Sequence, residues 1–188
     1  MKEETRRTGP GMLRTLLTLL LFGAVVAFLL GLVNRITAEP IADHTAAKTQ
    51  AAMKTVFPAD SYEPVQNSGA EKIDLVKAVY AAGDQGWVIE VTPSGFGGLI
   101  DMLVGVDTSG AVTGVSIVSL SETSGLGANA VRESFRSQYV GKTKSVKLRK
   151  QGGEIDALTG ATITSTAVTN GVNAALAAAA ELMRERGL

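Results

Sequence analysis

Residues 156–165, Asp156-Ala157-Leu158-Thr159-Gly160-Ala161-Thr162-Ile163-Thr164-Ser165, set a run of hydroxyls just ahead of an alanine-rich stretch with helical spacing. Thr162 stands where such a helix begins, and its hydroxyl is a candidate to hold a phosphate ester. Gly160 and Ala161 let the backbone pass close to a bulky ligand, and the free amides of a first helical turn favour a negative group. The same residues fit a plainer role, with Thr162 or Thr164 capping the helix and Asp156 complementing its dipole. Local spacing alone leaves both roles open.

Two further loops combine glycine with groups able to touch a ligand. Ser94-Gly95-Phe96-Gly97-Gly98 has three glycines around one aromatic ring, which permits a tight bend with exposed amides. It is not a dinucleotide fingerprint, because a strand follows it rather than a helix, and glycine clusters between strands usually serve as turns. Ser121-Glu122-Thr123-Ser124-Gly125-Leu126-Gly127 adds a carboxylate and hydroxyls, although Glu122 also fits a solvated position and Gly125 and Gly127 a helix entry. Three such loops in one small domain raise the case for a shared site, since loops carry function when a rigid scaffold gathers them.

The elements between these loops predict an α+β fold with a mainly antiparallel sheet. A helix over Ile41–Phe57 is stopped by Pro58, and 59–71 reads as a loop or irregular edge. One hairpin pairs Leu75–Ala81 with Gly86–Thr92, and a second pairs Ile100–Val106 with Val112–Ser119 across Asp107-Thr-Ser-Gly110, with β-branched residues suited to a sheet. A short helix over Ala128–Val140 aligns Val131, Phe135 and Tyr139 on one face. Ser145–Arg149 reads as a last strand. In the terminal helix Val168, Val172, Ala175, Leu176, Ala179 and Leu182 recur at helical spacing and mark a buried face.

Thr15 to Val33 runs without a charge and is long enough to cross a bilayer as a helix. Lys2, Arg6, Arg7 and Arg14 precede it and only Arg35 follows closely, so the positive-inside rule keeps the N-terminus in the cytoplasm. This divides the chain into a cytoplasmic N-terminus (1–14), a transmembrane helix (15–34) and an extracytoplasmic domain (35–188). Ile36-Thr37-Ala38 offers a cleavage site for a signal peptidase, but the apolar stretch exceeds the usual signal core of about 7–15 residues.

The 188 residues hold no cysteine and one histidine, His44, in a polar stretch. Disulfides, thiol catalysis and cysteine-ligated iron–sulfur clusters are excluded, and neither a histidine-rich metal site nor a histidine-dependent triad is expected. Eighteen bases balance eighteen acids, with no basic run apparent outside the flank of the apolar stretch, which argues against nucleic acid. Any redox chemistry needs a separate cofactor.

Together the three loops carry a resemblance. Asp156-Ala-Leu-Thr159-Gly160-Ala161-Thr162 resembles the flavinylation signature of RnfG, the flavin-binding component of the Rnf electron-transport complex, a family related to the C subunit of the sodium-pumping NADH:quinone oxidoreductase. Glu122-Thr123-Ser124-Gly125-Leu126-Gly127 resembles that family's Glu-Thr-Pro-Gly-Leu-Gly loop, and Gly95–Gly98 its glycine-aromatic-glycine-glycine loop, in the same order. Ser124 stands where the family usually has proline, which leaves the stiffness of that loop open. The resemblance spans nearly the whole chain.

It implies an FMN-binding domain behind a single membrane anchor, with FMN attached covalently through its phosphate to Thr162. A magnesium-dependent flavin transferase of the ApbE type would move the FMN moiety from FAD onto Thr162, recognising Asp156, Thr159, Gly160, Ala161 and Thr162. Glu122, Thr123 and the Gly125-Leu126-Gly127 backbone would contact the flavin, and Gly95, Phe96, Gly97 and Gly98 would shield one ring face. The chain would then be one electron relay among the subunits of an Rnf complex that couples ferredoxin and NAD chemistry to sodium or proton movement, not an independent catalyst. Two other readings stay open: a flavinylated domain of another extracytoplasmic reductase, and a non-redox, membrane-anchored binding or assembly protein.

Overall fold

The computed structural model describes residues 10–66 and 68–187, with the side chains of 10 and 36–46 excepted. Lys2, Arg6 and Arg7 of the basic flank, and the His44 side chain, lie outside the described residues. The chain divides into two compact units, Met1–Ala47 and Lys48–Leu188. In the first, Gly11–Arg35 is a helical stretch long and apolar enough to cross a membrane, with an 18-residue window of mean hydropathy 2.8. It belongs to helix α1, Pro10–Val56. The helix predicted from Ile41 to Phe57 is therefore the later part of α1 and not a separate element. α1 stops at Val56, just before Pro58.

The second unit is built on five antiparallel strands in sequential order: β1 Glu63–Pro64, β2 Val76–Ala81, β3 Gly86–Val91, β4 Asp101–Asp107 and β5 Val112–Ser119. Both predicted hairpins are present, and β1 supplies the irregular edge. Alternation along the strands gives the sheet two buried faces. Trp87, Ile89, Val91, Met102, Val104 and Val106 share a core with Val168, Val172, Ala175, Ala179 and Leu182 of α3, Thr162–Arg186. Val88 and Leu103 point the other way, onto Met53, Val56 and Phe57 at the end of α1.

That second packing relies on paired glycines. Gly105 and Gly114 lie opposite one another on β4 and β5. A Cβ on Gly114 would sit 2.9 Å from Val56 Cα, and one on Gly105 would meet Thr113 Oγ1 and the Val56 carbonyl. The Thr113 hydroxyl donates to that carbonyl at 2.6 Å, satisfying it at the end of the helix.

Two predicted elements differ. In place of one helix over 128–140 the chain forms a 3₁₀ turn at Gly127–Val131, a single α-turn at Glu133–Arg136 (α2) and a second 3₁₀ turn at Ser137–Tyr139. Arg132 adopts extended backbone, φ −68° and ψ 138°, and this breaks the run. Phe135 and Tyr139 are buried with their rings edge to face at 5.7 Å, whereas Val131 is turned out to solvent. The strand predicted at Ser145–Arg149 is also absent. Val146 and Leu148 are buried in strand-like alternation, but the Val146 amide and carbonyl bond the side chain of Asn173 on α3, at 2.8 and 2.9 Å. With a helix side chain as partner, no ladder forms beyond one parallel bridge, Leu148 to Ile155.

Candidate functional site

The β3–β4 loop, the loop after β5 and the start of α3 meet at one end of the domain, and the residue that joins them is Glu122. Its Oε1 accepts hydrogen bonds from the backbone amides of Phe96 (2.8 Å) and Gly97 (3.0 Å), and its Oε2 accepts one from the Thr164 hydroxyl (2.7 Å). Gly95 and Gly127 leave the room this carboxylate fills; on Gly127 a Cβ would stand 2.5 Å from Glu122 Oε2 and 2.6 Å from Thr164 Oγ1. A half-buried carboxylate thus trades water for three fixed donors, the arrangement in which such a group stabilises rather than strains a loop junction.

The gathered loops enclose a cleft of about 370 Å³ lined by Phe96, Glu122, Thr123, Leu126, Gly127, Gly160, Ala161, Thr162, Ile163 and Thr164. Phe96, Leu126 and Ile163 remain exposed at its rim, an unusual set of large apolar side chains to leave in water at one site. Gly95, Gly97, Gly98 and Gly125 shape the loops without lining the cleft. Asp156 and Thr159 line a neighbouring cleft of about 410 Å³ that shares Gly160 with the first. Ile163 and Thr164 complete the wall beyond the residues expected from sequence, and Thr164 was expected only as a cap.

The hydroxyls of the 159–166 segment have sharply different surroundings. Thr164 is buried and committed to Glu122. Ser165 is buried, donating to the Ala161 carbonyl and accepting from the Leu158 amide. Thr166 donates back to the Thr162 carbonyl. Thr162 is exposed at the first position of α3, and its hydroxyl has no hydrogen bond among the described residues. The helix cap is Ala161, without a side-chain cap bond, so neither Thr162 nor Thr164 caps the helix. Gly160 makes the approach with φ +72°, a left-handed backbone that glycine tolerates best.

The Asp156 carboxylate is engaged by a neighbouring arginine. Arg149 binds it through Nε at 2.6 Å and Nη2 at 3.1 Å, and the Gln138 side chain brackets its backbone amide and carbonyl. The guanidinium hydrogen bonds hold the Asp156 carboxyl below its ordinary value of 3.8. Deeper in the domain, the Tyr139 phenol, pushed up to about 12 by burial, bonds Thr169 at 2.9 Å beneath the first turns of α3.

Residues 142–150 correct the charge reading from sequence. Lys142, Lys144, Lys147, Arg149 and Lys150 form a basic run in sequence, and Arg149 and Lys150 line the second cleft. Their alternation with apolar Val146 and Leu148 disguises the run as part of a strand.

A glycine-shaped cleft with an apolar rim and a bare hydroxyl at a helix start has the shape and donor set to take a flavin with its phosphate, and residues 95–177 match the FMN-binding domain. The class of the second unit is therefore an FMN-binding domain. Residues 1–56 match the RnfG N-terminal region. The chain is 35% identical to the G subunit of the Na(+)-translocating ferredoxin:NAD(+) oxidoreductase complex of Acetobacterium woodii, over 84% of this chain and 86% of that one. It is 33% identical to the G subunit of the ion-translocating oxidoreductase complex of Methanosarcina acetivorans, over 87% and 92%. The solved C subunit of the Na(+)-translocating NADH-quinone reductase of Parabacteroides distasonis aligns with TM-score 0.46 at 22% identity, over 57% of this chain and 61% of that one. The chain belongs to the RnfG family, the G subunits of Rnf complexes.

Proposed function

We propose that this chain is the extracytoplasmic flavin carrier of an Rnf-type ion-translocating complex, holding FMN through a phosphoester to Thr162. The observation that carries this is the contrast among neighbouring hydroxyls: Thr162 is exposed and unengaged on the cleft wall, Thr164, Ser165 and Thr166 are spent on internal bonds, and Thr159, also exposed, lines the neighbouring cleft instead. The Thr162 oxygen attacks the FMN-side phosphorus of FAD, the bond to the bridging oxygen breaks, AMP leaves, and the hydroxyl proton passes to the base of a magnesium-dependent transferase. No electrons change hands in attachment. The amides of Thr162, Ile163 and Thr164, which lack acceptors among the described residues, would be available to the remaining phosphate charge. That effect amounts to about 0.3–1 kcal/mol when exposed, so the ester and not the dipole retains the cofactor. Phe96, Leu126 and Ile163 would cover apolar ring surface, and Thr123 with the Gly127 backbone would offer polar contacts. The flavin supplies the electron chemistry, and the protein positions it and tunes its potential.

The test is expression with and without a competent transferase, followed by intact-mass and peptide analysis. One FMN should appear on the wild type and on Thr164→Val, and none on Thr162→Val; an equivalent adduct on Thr162→Val overturns the assignment. In the assembled complex, Thr162→Val should leave assembly intact and stop electron transfer between ferredoxin and NAD. The basic N-terminal flank supports an extracytoplasmic position for 35–188. Protease added to sealed vesicles should therefore cut the domain only from the extracytoplasmic face.

A further inference from the structure

We infer that the cleft beside Thr162 selects flavins by the charge of their phosphate, seating the uncharged ring and ribityl chain and disfavouring the free phosphate dianion of unattached FMN. The inference rests on this cleft as the flavin site, its lining lying wholly within the matched FMN-binding segment 95–177. Among the described residues Glu122 is the one charged side chain that lines the cleft, and no lysine, arginine or histidine joins it. The carboxylate is fixed in place, with Oε1 on the Phe96 and Gly97 amides and Oε2 on the Thr164 hydroxyl. These three donors are neutral groups, so they disperse its negative charge without cancelling it.

The start of α3 acts in the opposite direction, since its first amides lack acceptors among the described residues. A helix N-terminus carries about half a positive charge and a carboxylate a full negative one, so the wall as a whole stays negative. Thr162 and Thr164 belong to one helical turn, and a phosphate at Thr162 therefore lies within about 10 Å, the screening length at 0.1 M salt, of the Glu122 carboxylate. Arg149 and Lys150 line the neighbouring cleft instead; Arg149 is paired with Asp156, and Lys150 is exposed to screening by water and salt. A phosphomonoester brings about 1.5 to 2 negative charges to this wall at neutral pH, whereas the diester formed with Thr162 brings a single one. The apolar rim of Phe96, Leu126 and Ile163 takes no part in this balance and serves charged and uncharged flavins alike. Selection by charge keeps unattached FMN from lying over the Thr162 hydroxyl, so the acceptor stays open until the ester forms.

The experiment uses the full chain in detergent, expressed without a flavin transferase and shown by intact mass to carry no covalent flavin. Riboflavin and FMN are titrated separately, and fluorescence anisotropy of the flavin gives each Kd at low and at high salt. At low salt riboflavin should bind about fivefold more tightly than FMN, and the gap should close as salt screens the carboxylate. Glu122→Gln keeps an acceptor for the loop amides and should bring the two Kd values together by strengthening FMN, with riboflavin unchanged. Thr162→Lys, at an exposed position whose hydroxyl makes no bond among the described residues, should reverse the order, and it tests the charge balance even if the glutamine variant loosens the loops. Wild-type FMN affinity equal to or above that of riboflavin at low salt, a gap that ignores both salt and the new lysine, or no saturable riboflavin binding would overturn the selection. Covalent attachment at Thr162 stands or falls separately by mass analysis after transferase treatment, so the two failures are distinct.

Discussion

The two ends of α3 are finished in opposite ways. At its C-terminus Gly187 turns into the left-handed region, φ 73°, and its amide bonds the Arg184 carbonyl. Glu185 accepts from the Gly69 amide at 2.7 Å, Arg184 pairs with Glu181, and Arg186 lies 5.1 Å from the centre of the Trp87 ring. At its N-terminus there is no side-chain cap, the first amides lack acceptors among the described residues, and Thr162 presents a bare hydroxyl. The protein satisfies one end itself and holds the other open, with the open end kept in shape from the side by Glu122. An unsatisfied helix start is tolerable where a ligand completes it.

Cutting the side support should have the largest effect on this contrast. Glu122→Ala deletes three hydrogen bonds at once and leaves Thr164 buried without its acceptor, for a stability loss of about 2–3 kcal/mol. Hydrogen exchange should locate the damage: the Phe96 and Gly97 amides lose protection, while amides at the far end of α3 keep theirs. Glu122→Gln keeps an acceptor for the two loop amides and should retain most of their protection. If it behaves like the alanine variant, charge rather than geometry joins the loops.

Next comes Asn173, whose side chain substitutes for a strand partner of Val146 from the middle of α3. Asn173→Ala should cost about 2 kcal/mol, measured by chemical denaturation, because a part-buried amide and carbonyl lose their partner together. This residue also explains part of what the sequence hid. The strand-like alternation at 145–149 is real, but no pattern in that segment reveals that its hydrogen bonds go to a side chain some 27 positions away. The hairpins were legible because alternation, β-branching and a local turn all point the same way. The helix over 128–140 was not, because its apolar spacing survives at Phe135 and Tyr139 while one extended residue, Arg132, breaks the backbone. At the site, the loops and Thr162 could be read from residue type and order. The Glu122 junction could not, since its bonds join residues 25 to 42 positions apart.

The closed end should respond more weakly. Gly187→Ala puts a Cβ on a left-handed residue and should lower stability by about 1 kcal/mol, with no change in flavin content after transferase treatment. A loss of flavin in that variant would mean that the two ends are coupled through the helix. Tyr139→Phe, under the first turns of α3, should cost a similar amount, about 1 kcal/mol, by removing the bond to Thr169; Thr169 keeps its bond to the Ser165 carbonyl, so no hydroxyl is stranded.

The smallest effect lies at Asp156, in the segment that leads into the open end. Arg149 hydrogen bonds the carboxylate and lowers its protonation midpoint below 3.8. A depressed acid stabilises the fold above its unfolded value, and that contribution is lost as pH falls through the folded midpoint. Both side chains are largely exposed, so the gain is small and salt-sensitive. A carbon-detected NMR titration of the Asp156 carboxyl should give a midpoint below 3.8, and Arg149→Gln should return it toward that value. The same substitution leaves the carboxylate without its partner in the cleft that Lys150 also lines. The stability of this variant at neutral pH, measured by chemical denaturation, should fall only slightly, because an exposed pair of this kind contributes little.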